Sequence, residues 1–273
     1  MARKYQTALV TGASSGMGKD AAFRLLKEGM TVYAAARSVD KMKDLEEAGA
    51  ITLKMDITND ADVVAVSERL KADGGIDVLL NNAGYGQYGS VEETPIDDAR
   101  YQFEVNIFGL ARLTQLIIPM MREKGAGLIM NVSSMGGVIY TPMGAWYHAT
   151  KHALEGWSDC LRFELEPFGI DVVVIQPGII NTGFADALGQ KFVRPDNSPY
   201  ADVVAAIERG TEEAYSAGRF SEPSVISDAI IQAVRATKPK TRYARGALGP
   251  MLMRIRRLVS DRMFDRIMRS QVS

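Results

Sequence analysis

Cysteine is almost missing from this chain. Cys160 is the only one in 273 residues, so no disulfide can form within it. A lone thiol in an apolar stretch fits a reducing compartment and is expected in the core. An excess of charge is missing as well. Lys and Arg number 32 against 33 Asp and Glu, a net charge of −1, so the molecule as a whole carries no basic field for nucleic acid. No apolar run approaches the length of a membrane span. Met1–Gln6 runs straight into an apolar strand without the pattern of a secretory leader. Histidine is scarce: His148 and His152 stand four residues apart with no third ligand nearby, so they are expected to pack or face solvent rather than bind metal. What remains is a soluble, cytoplasmic globular chain, 47% hydrophobic and long enough for one well-packed domain.

Short apolar runs alternate with helical patterns. Strands are predicted over Thr7–Thr11, Thr31–Ala36, Ile51–Met55, Ile76–Leu80, Leu128–Val132 and Asp171–Ile175. Helices are predicted over Gly18–Lys27, Val39–Ala48, Asp60–Ala72, Ile96–Arg122 (as one helix or two) and Ala145–Glu166. Strands without polar alternation, each followed by a helix, indicate parallel strands covered on both faces. Right-handed crossovers then give a single-domain α/β fold, a doubly wound, Rossmann-like parallel sheet. The regular alternation covers residues 1–182, and 183–273 form a smaller, mainly helical second part of the same domain. In that second part Gly183–Pro199 is loose. Helical patterns follow at Tyr200–Ala217, Ser224–Ala236 and Pro250–Met268, with a possible last strand at Thr241–Ala244.

The first strand runs into Gly12, Ala13, Ser14, Ser15, Gly16, Met17 and Gly18. Glycines let a backbone turn sharply and approach a phosphate, and the following helix offers free N–H groups and a positive dipole end. The loop alone could be a tight strand–helix turn; its place after a first strand points to a dinucleotide. An acidic residue would then end the second strand to hold the adenosine ribose. That strand ends instead in Ala36 and Arg37. A guanidinium can grip a 2′-phosphate with two hydrogen bonds, so NADP(H) is expected over NAD(H). Asp56, followed by Ile57 after the third strand, could accept from the adenine amino group, or could cap the next helix.

Tyr147 and Lys151 are four apart on a predicted helix and share a face. Tyrosine titrates near 10, and a neighbouring ammonium should lower that value toward the range useful for acid–base work. Such pairs are common on helix surfaces. Here, however, they follow Thr11-Gly12-x-x-x-Gly16-x-Gly18, Asn81-Asn82-Ala83-Gly84, Asn106 and Ser133-Ser134, and precede Pro177-Gly178-x-x-x-Thr182. With these motifs in order, the chain resembles the short-chain dehydrogenase/reductase family from its first strand to about Thr182.

The resemblance implies a role for each matching residue. Tyr147 is the general acid in reduction and base in oxidation. Lys151 lowers its pKa and binds the nicotinamide ribose. Ser134, rather than Ser133, holds the substrate oxygen, and Asn106 holds a water that relays protons. Asn82, Ala83 and Gly84 line the cofactor. Pro177, Gly178 and Thr182 shape its nicotinamide end, with the Ile180 N–H on the carboxamide. Family members often pair through long helices, which implies a homodimer or homotetramer through about Asn106–Glu123 and Ala145–Glu166.

Tyr85, Tyr88, Met135, Pro142, Met143, Trp146, Phe184, Leu188 and Phe192 are expected to line an apolar, adaptable substrate pocket under a Gly183–Pro199 lid. No Lys or Arg follows Thr182 closely; Lys191 and Arg194 lie further along. From Lys238 to Met268 the chain is similar, more softly, to the branch of 17β-hydroxysteroid and retinol dehydrogenases. That similarity implies a bulky apolar steroid- or lipid-like alcohol or ketone. An oxoacyl thioester, a xenobiotic ketone, or a dinucleotide-binding scaffold without turnover are the alternatives. Asp97-Asp98 and Glu92-Glu93 read as solvated helix-start charges.

From Arg235 to Ser273 eleven Lys and Arg face two Asp, a local charge of +9. One reading packs Leu252, Ile255, Leu258, Phe264 and Ile267 over the substrate cleft with the arginines in water. The other makes this tail a weak peripheral membrane contact. The first is preferred, because the apolar stripe is short.

Overall fold

A computed structural model of the chain describes residues 5–182, 193 and 195–270. Seven strands form one parallel sheet: β1 Thr7–Thr11, β2 Thr31–Ala36, β3 Ile51–Lys54, β4 Val78–Asn81, β5 Gly127–Val132, β6 Ile170–Pro177 and β7 Arg242–Arg245. Their order is β3-β2-β1-β4-β5-β6-β7, reversing direction between β1 and β4. This is the doubly wound, Rossmann-like α/β sheet, whose crevice at the reversal point is a binding position.

Alternate residues serve opposite faces. Ala8 and Val10 of β1 enter the core beneath α1 (Gly16–Lys27), which packs against α8 (Ser224–Arg235), while Leu9 enters the other core. Burial on both sides explains the unbroken apolar runs. The second face carries α3 (Asp60–Ala72), α5 (Gly109–Lys124) and α6 (Ala145–Leu165). Between them in sequence lie α2 (Lys43–Glu47), α4 (Ile96–Phe103) and α7 (Ala201–Ser216). At the C-terminal end α9 (Gly249–Leu258) and α10 (Asp261–Arg269) close a small separate core of Ile139, Met253, Phe264 and Met268.

Several expectations need correction. The helix expected over Val39–Ala48 is a 3-10 turn, Val39–Met42, followed by the short α2. The Ile96–Arg122 stretch, by contrast, takes the two-helix form of its expectation, with a π-turn, Glu104–Phe108, between α4 and α5. Cys160 is exposed, not core. The buried stripe of α6 runs through Tyr147, Lys151, Leu154, Ser158, Leu161 and Leu165, and Cys160 falls off that stripe. Leu258 is 85% exposed rather than packed over the cleft. It ends α9, and the extended link at Val259–Ser260 starts α10 afresh with Phe264 inward.

A three-sided clamp ties α6 to the sheet edge. Glu155, one turn past Lys151 and buried, accepts from Gln176 Nε2 of β6 at 3.0 Å and from Arg242 Nε of β7 at 3.0 Å. Arg242 also reaches Asp159 at 2.7 Å. A buried carboxylate held by two donors is far less costly than one left alone.

Candidate active site

The expected site residues gather at the C-terminal edge of the sheet. Gly12 follows β1, Arg37 follows β2, Asn82–Gly84 follow β4, Ser134 follows β5 and Pro177 ends β6. Asn82 stitches two of these ends together, its Nδ2 donating to Thr11 O at 3.0 Å while Thr11 Oγ1 accepts from the Asn82 and Ala83 amides at 3.0 Å.

The loop has the shape a phosphate needs. Gly12 has φ +67°, and an added Cβ would sit 2.9 Å from Ala83 Cα. At Gly18 a Cβ would stand 2.5 Å from Gly12 O. Both positions therefore exclude side chains. Ser15 caps α1 without a side-chain bond, and the first turn holds no acid, so the positive helix end is uncompensated. Gly16 faces the Thr182 side chain, a Cβ there lying 3.2 Å from Thr182 Cγ2. The segment after β6 is thus brought against the loop, with Ile180 buried behind it. Ser14 and Met17 lie in the same turn and first helical residues.

Arg37 is exposed, its Nη1 3.5 Å from Tyr101 Oη. Asp56 turns locally instead: Oδ1 accepts from Thr58 N at 3.0 Å and Thr58 Oγ1 at 2.8 Å. The cap of α3 is Asn59, which accepts from the Ala61 and Asp62 amides. Ile57 is buried beneath Gly109, where no side chain could fit against the Ile57 carbonyl.

Ser134 opens a 3-10 turn, Met135–Gly137, and accepts from Gly136 N at 3.0 Å. Its hydroxyl also hydrogen-bonds Tyr147, favouring the phenolate. Burial has the larger effect and holds the Tyr147 pKa above its ordinary 10. Tyr88 tilts over the Tyr147 ring with centroids 5.6 Å apart. Lys151 Nζ stands 5.9 Å from that ring's centre and donates to Val132 O at 2.9 Å. Burial pulls the Lys151 pKa from 10.5 to about 8, against a smaller opposing pull from Glu155. In this structure the Lys151 ammonium donates to the carbonyl of β5, and desolvation has the largest effect on both groups.

Asn106 occupies the π-turn. Its Nδ2 donates to Tyr85 O at 2.9 Å and Thr150 Oγ1 at 3.1 Å, and its Oδ1 accepts from Tyr85 N at 3.1 Å. It clamps the strand end that carries Gly84. A Cβ at Gly84 would lie 3.0 Å from Asn106 Oδ1 and 3.7 Å from Lys151 Nζ, so glycine keeps this approach open.

Sequence reasoning gives His148 only a packing or surface place and reads Glu92, Glu93 and Asp98 as solvated. His148 is buried, with Nε2 accepting from Thr141 N at 3.0 Å, which leaves Nδ1–H to donate to Gly136 O at 2.9 Å. Burial lowers its pKa, so a neutral ring pins the turn that presents Ser134. Glu92 and Glu93 are engaged rather than merely solvated, accepting from Tyr200 Oη at 2.7 Å and Ser198 Oγ at 2.9 Å. Asp98 likewise accepts from Gln87 Nε2 at 2.7 Å. Adjacency to Tyr147 was the only sequence cue for His148; none marked the glutamates.

Of the expected pocket lining, Tyr88 and Trp146 flank Tyr147, Met135 follows Ser134, and Pro142 and Met143 border the same turn. Met143 has φ +63°, a conformation that costs a side-chain-bearing residue about 1 kcal/mol or more. Tyr85 stacks obliquely on Tyr101 at 5.9 Å. Val193 donates its amide to Tyr88 O at 3.0 Å. Phe184, Leu188, Lys191, Phe192 and Arg194, and with them most of the expected lid, lie outside the described residues. Among the described residues no group of three or more His, Cys, Asp or Glu could hold a metal, and no helix is long and apolar enough to cross a membrane.

Residues 6–192 match the family model described as short chain dehydrogenase. The chain is 36% identical over 249 residues to a 3-ketodihydrosphingosine reductase of Bacteroides thetaiotaomicron, covering 90% of each. It is 33% identical over 273 residues to an NADPH-dependent 3-dehydrocapnine reductase of Ornithobacterium rhinotracheale, covering 95% of each. A crystal structure of a short-chain dehydrogenase from Streptomyces avermitilis superposes with a TM-score of 0.79 at 33% identity, over 98% of this chain and 99% of that one.

Proposed function

The chain belongs to the short-chain dehydrogenase family, and we propose that this oxidoreductase reduces a ketone on a bulky apolar, lipid-like substrate with NADPH, Tyr147 supplying the proton. The observation that carries the reading is the buried Ser134–Tyr147 hydrogen bond one helical turn from Lys151, beside a glycine loop shaped for phosphate. When bound, the nicotinamide supplies the hydride. Ser134 holds the carbonyl oxygen and polarises it. Tyr147 Oη gives that oxygen its proton. The Tyr147 phenolate then takes a proton from the Lys151 ammonium through a water held by Asn106, Lys151 takes one in turn from solvent, and Asn106 also fixes the neighbouring backbone. Burial keeps competing water out and makes each hydrogen bond count for more.

NADP(H) is supported by Arg37 standing where a carboxylate would favour NAD(H), and by one relative whose name states NADPH dependence. Two relatives named for a 3-keto and a 3-dehydro compound support ketone reduction, and the Tyr88 ring packed beside Tyr147 supports an apolar substrate over a small polar one. Residues 1–182 serve as the cofactor-binding and catalytic core and 183–273 as lid and closing helices. The single cysteine supports a reducing, cytoplasmic setting. Exposed Phe108 and Phe163, flanking α5 and on α6, support association into a homodimer or homotetramer through these helices.

Loss of NADPH fluorescence with a panel of long-chain 3-keto lipids, steroids, oxoacyl thioesters and simple ketones tests the substrate class. The greatest kcat/KM is expected with the long-chain ketones. Turnover with none of them would leave a binding scaffold as the better reading. Arg37→Ala should lower kcat/KM for NADPH by one to two orders of magnitude, about the worth of one charge-assisted phosphate contact, and leave NADH nearly unchanged. An unchanged NADPH/NADH ratio would remove Arg37 from cofactor selection.

A further inference from the structure

The basic C-terminal segment presents a face that the fold does not use. Inward, α9 and α10 are fully served by Met253, Phe264 and Met268, which seal the small core around Ile139. Outward, Met251, Arg254 and Leu258 follow one another at i, i+3 and i+7 along α9, with Arg257 beside them. On α10 the outer side carries Arg262, Met263, Arg266 and Arg269. Leu258 is 85% exposed, Met263 54%, Met251 51% and Leu248, just ahead of α9, 38%. Large apolar side chains left in water singly are ordinary, but four within sixteen residues, interleaved with arginines, are not.

The charge on this face is uncompensated. Asp261 is taken by Arg256 at 2.7 Å, and Asp265 accepts from Tyr140 Oη at 2.9 Å. Arg256 itself lies over the Tyr140 and Phe264 rings. Among the described residues Arg254, Arg257, Arg262, Arg266 and Arg269 are exposed and have no acidic partner. Two copies of such a face repel one another, so it is ill suited to a symmetric self-contact. Arginine alternating with Leu and Met, on short helices that lie along the surface, suits a plane that is anionic outside and apolar a few ångströms deeper. The position matters too. Gly249, which begins α9, abuts Gly178 so closely that a Cβ on it would lie 2.8 Å from Gly178 Cα and 3.7 Å from Met135 Cβ. The face therefore starts at the rim of the site that Ser134 and Pro177 define.

We propose that the outer faces of α9 and α10 dock this protein in the headgroup region of an anionic lipid bilayer. The docking stands on this face alone; its use, delivering a greasy ketone to the adjoining site, depends on the substrate class proposed above. Co-sedimentation of the full chain with phosphatidylcholine vesicles, with and without phosphatidylglycerol, tests it. Binding is expected only with phosphatidylglycerol and should be lost in high salt. Each arginine near such a surface contributes about fivefold in partition coefficient, so Arg254→Glu with Arg257→Glu and Arg262→Glu should lower it by roughly a hundredfold or more. Leu258→Ser with Met263→Ser should lower it by roughly tenfold. Both sets should turn over a small water-soluble ketone at the wild-type rate, which shows that they fold and separates failure of docking from failure of the catalytic reading. Absent binding to the anionic vesicles, equal binding to phosphatidylcholine alone, or a triple variant that still pellets would each overturn the proposal. So would loss in the arginine variant with none in the Leu258/Met263 variant, the mark of a general polyanion site for acidic protein or nucleic acid.

Discussion

Tyr147→Phe is expected to lower kcat by about a hundred- to ten-thousandfold, the range for losing a positioned proton donor, while the dissociation constant for NADPH stays nearly unchanged. The substitution removes one oxygen and little else. The phenyl ring keeps its packing against Tyr88 at 5.6 Å and its edge contact with His148 at 5.8 Å. Ser134 keeps its bond from Gly136 N, so the turn that presents it stays in place. Steady-state rates with the best ketone, together with fluorescence titration of NADPH, check both halves. A variant that kept a substantial share of the wild-type rate would take Tyr147 out of the chemistry.

Lys151→Met is expected to cost activity and to raise stability. Burial depresses the folded pKa to about 8 from an unfolded 10.5. Below about pH 8 both states carry the ammonium, and the folded one bears its desolvation. Between about 8 and 10.5 the folded state sheds its proton first and the burden fades. Lys151 is therefore unfavourable to folding at neutral pH and becomes neutral to it in base. The shift corresponds to about 3 kcal/mol, from which about 1 kcal/mol is subtracted for the orphaned Val132 carbonyl. A net gain of about 1–2 kcal/mol would raise Tm by roughly 2–8 °C in the ligand-free protein at pH 7. Turnover should fall by about a hundredfold or more, since a methionine neither donates a hydrogen bond nor carries charge. In the wild type, kcat/KM for reduction should decline as pH rises through about 8, where the ammonium is lost. Differential scanning fluorimetry and the pH–rate profile are the measurements; a lower Tm for Lys151→Met would contradict the account. Glu155 would not suffer from the exchange, being held by Gln176 and Arg242.

The order of elements and the site positions at strand ends were legible in the sequence, because parallel strands buried on both faces leave continuous apolar runs. Where polar residues finish a strand the runs mislead. β4 reaches Asn81, whose side chain bonds Asn131 of β5 at 2.9 Å, and β6 reaches Gln176 and Pro177. The π-turn at Asn106 was illegible, since it spans only Glu104–Phe108, and the phase shift from one extra residue cannot be told from ordinary scatter of apolar positions over so short a stretch. Cys160 was misplaced because a residue-type preference was used where the helical stripe should have decided. The Tyr147–Lys151 spacing correctly predicted a shared helix face, but not which way Nζ points. That depends on the Val132 carbonyl, a contact across nineteen residues that no local pattern encodes.

The clamp around Arg242 has a consequence for how the chain is made. The helix bearing Tyr147 and Lys151 is complete at Leu165, yet Arg242 lies 87 residues beyond Glu155 and 83 beyond Asp159. During synthesis from the N-terminus the catalytic helix exists long before its edge strand emerges. Over that interval Glu155 has only Gln176 to satisfy it, and β6 has no edge mate. Docking of β7 both covers that edge and neutralises the carboxylate beneath the reactive lysine. The helix bearing Tyr147 and Lys151 thus gains its full electrostatic support only once a strand far downstream in the chain has docked.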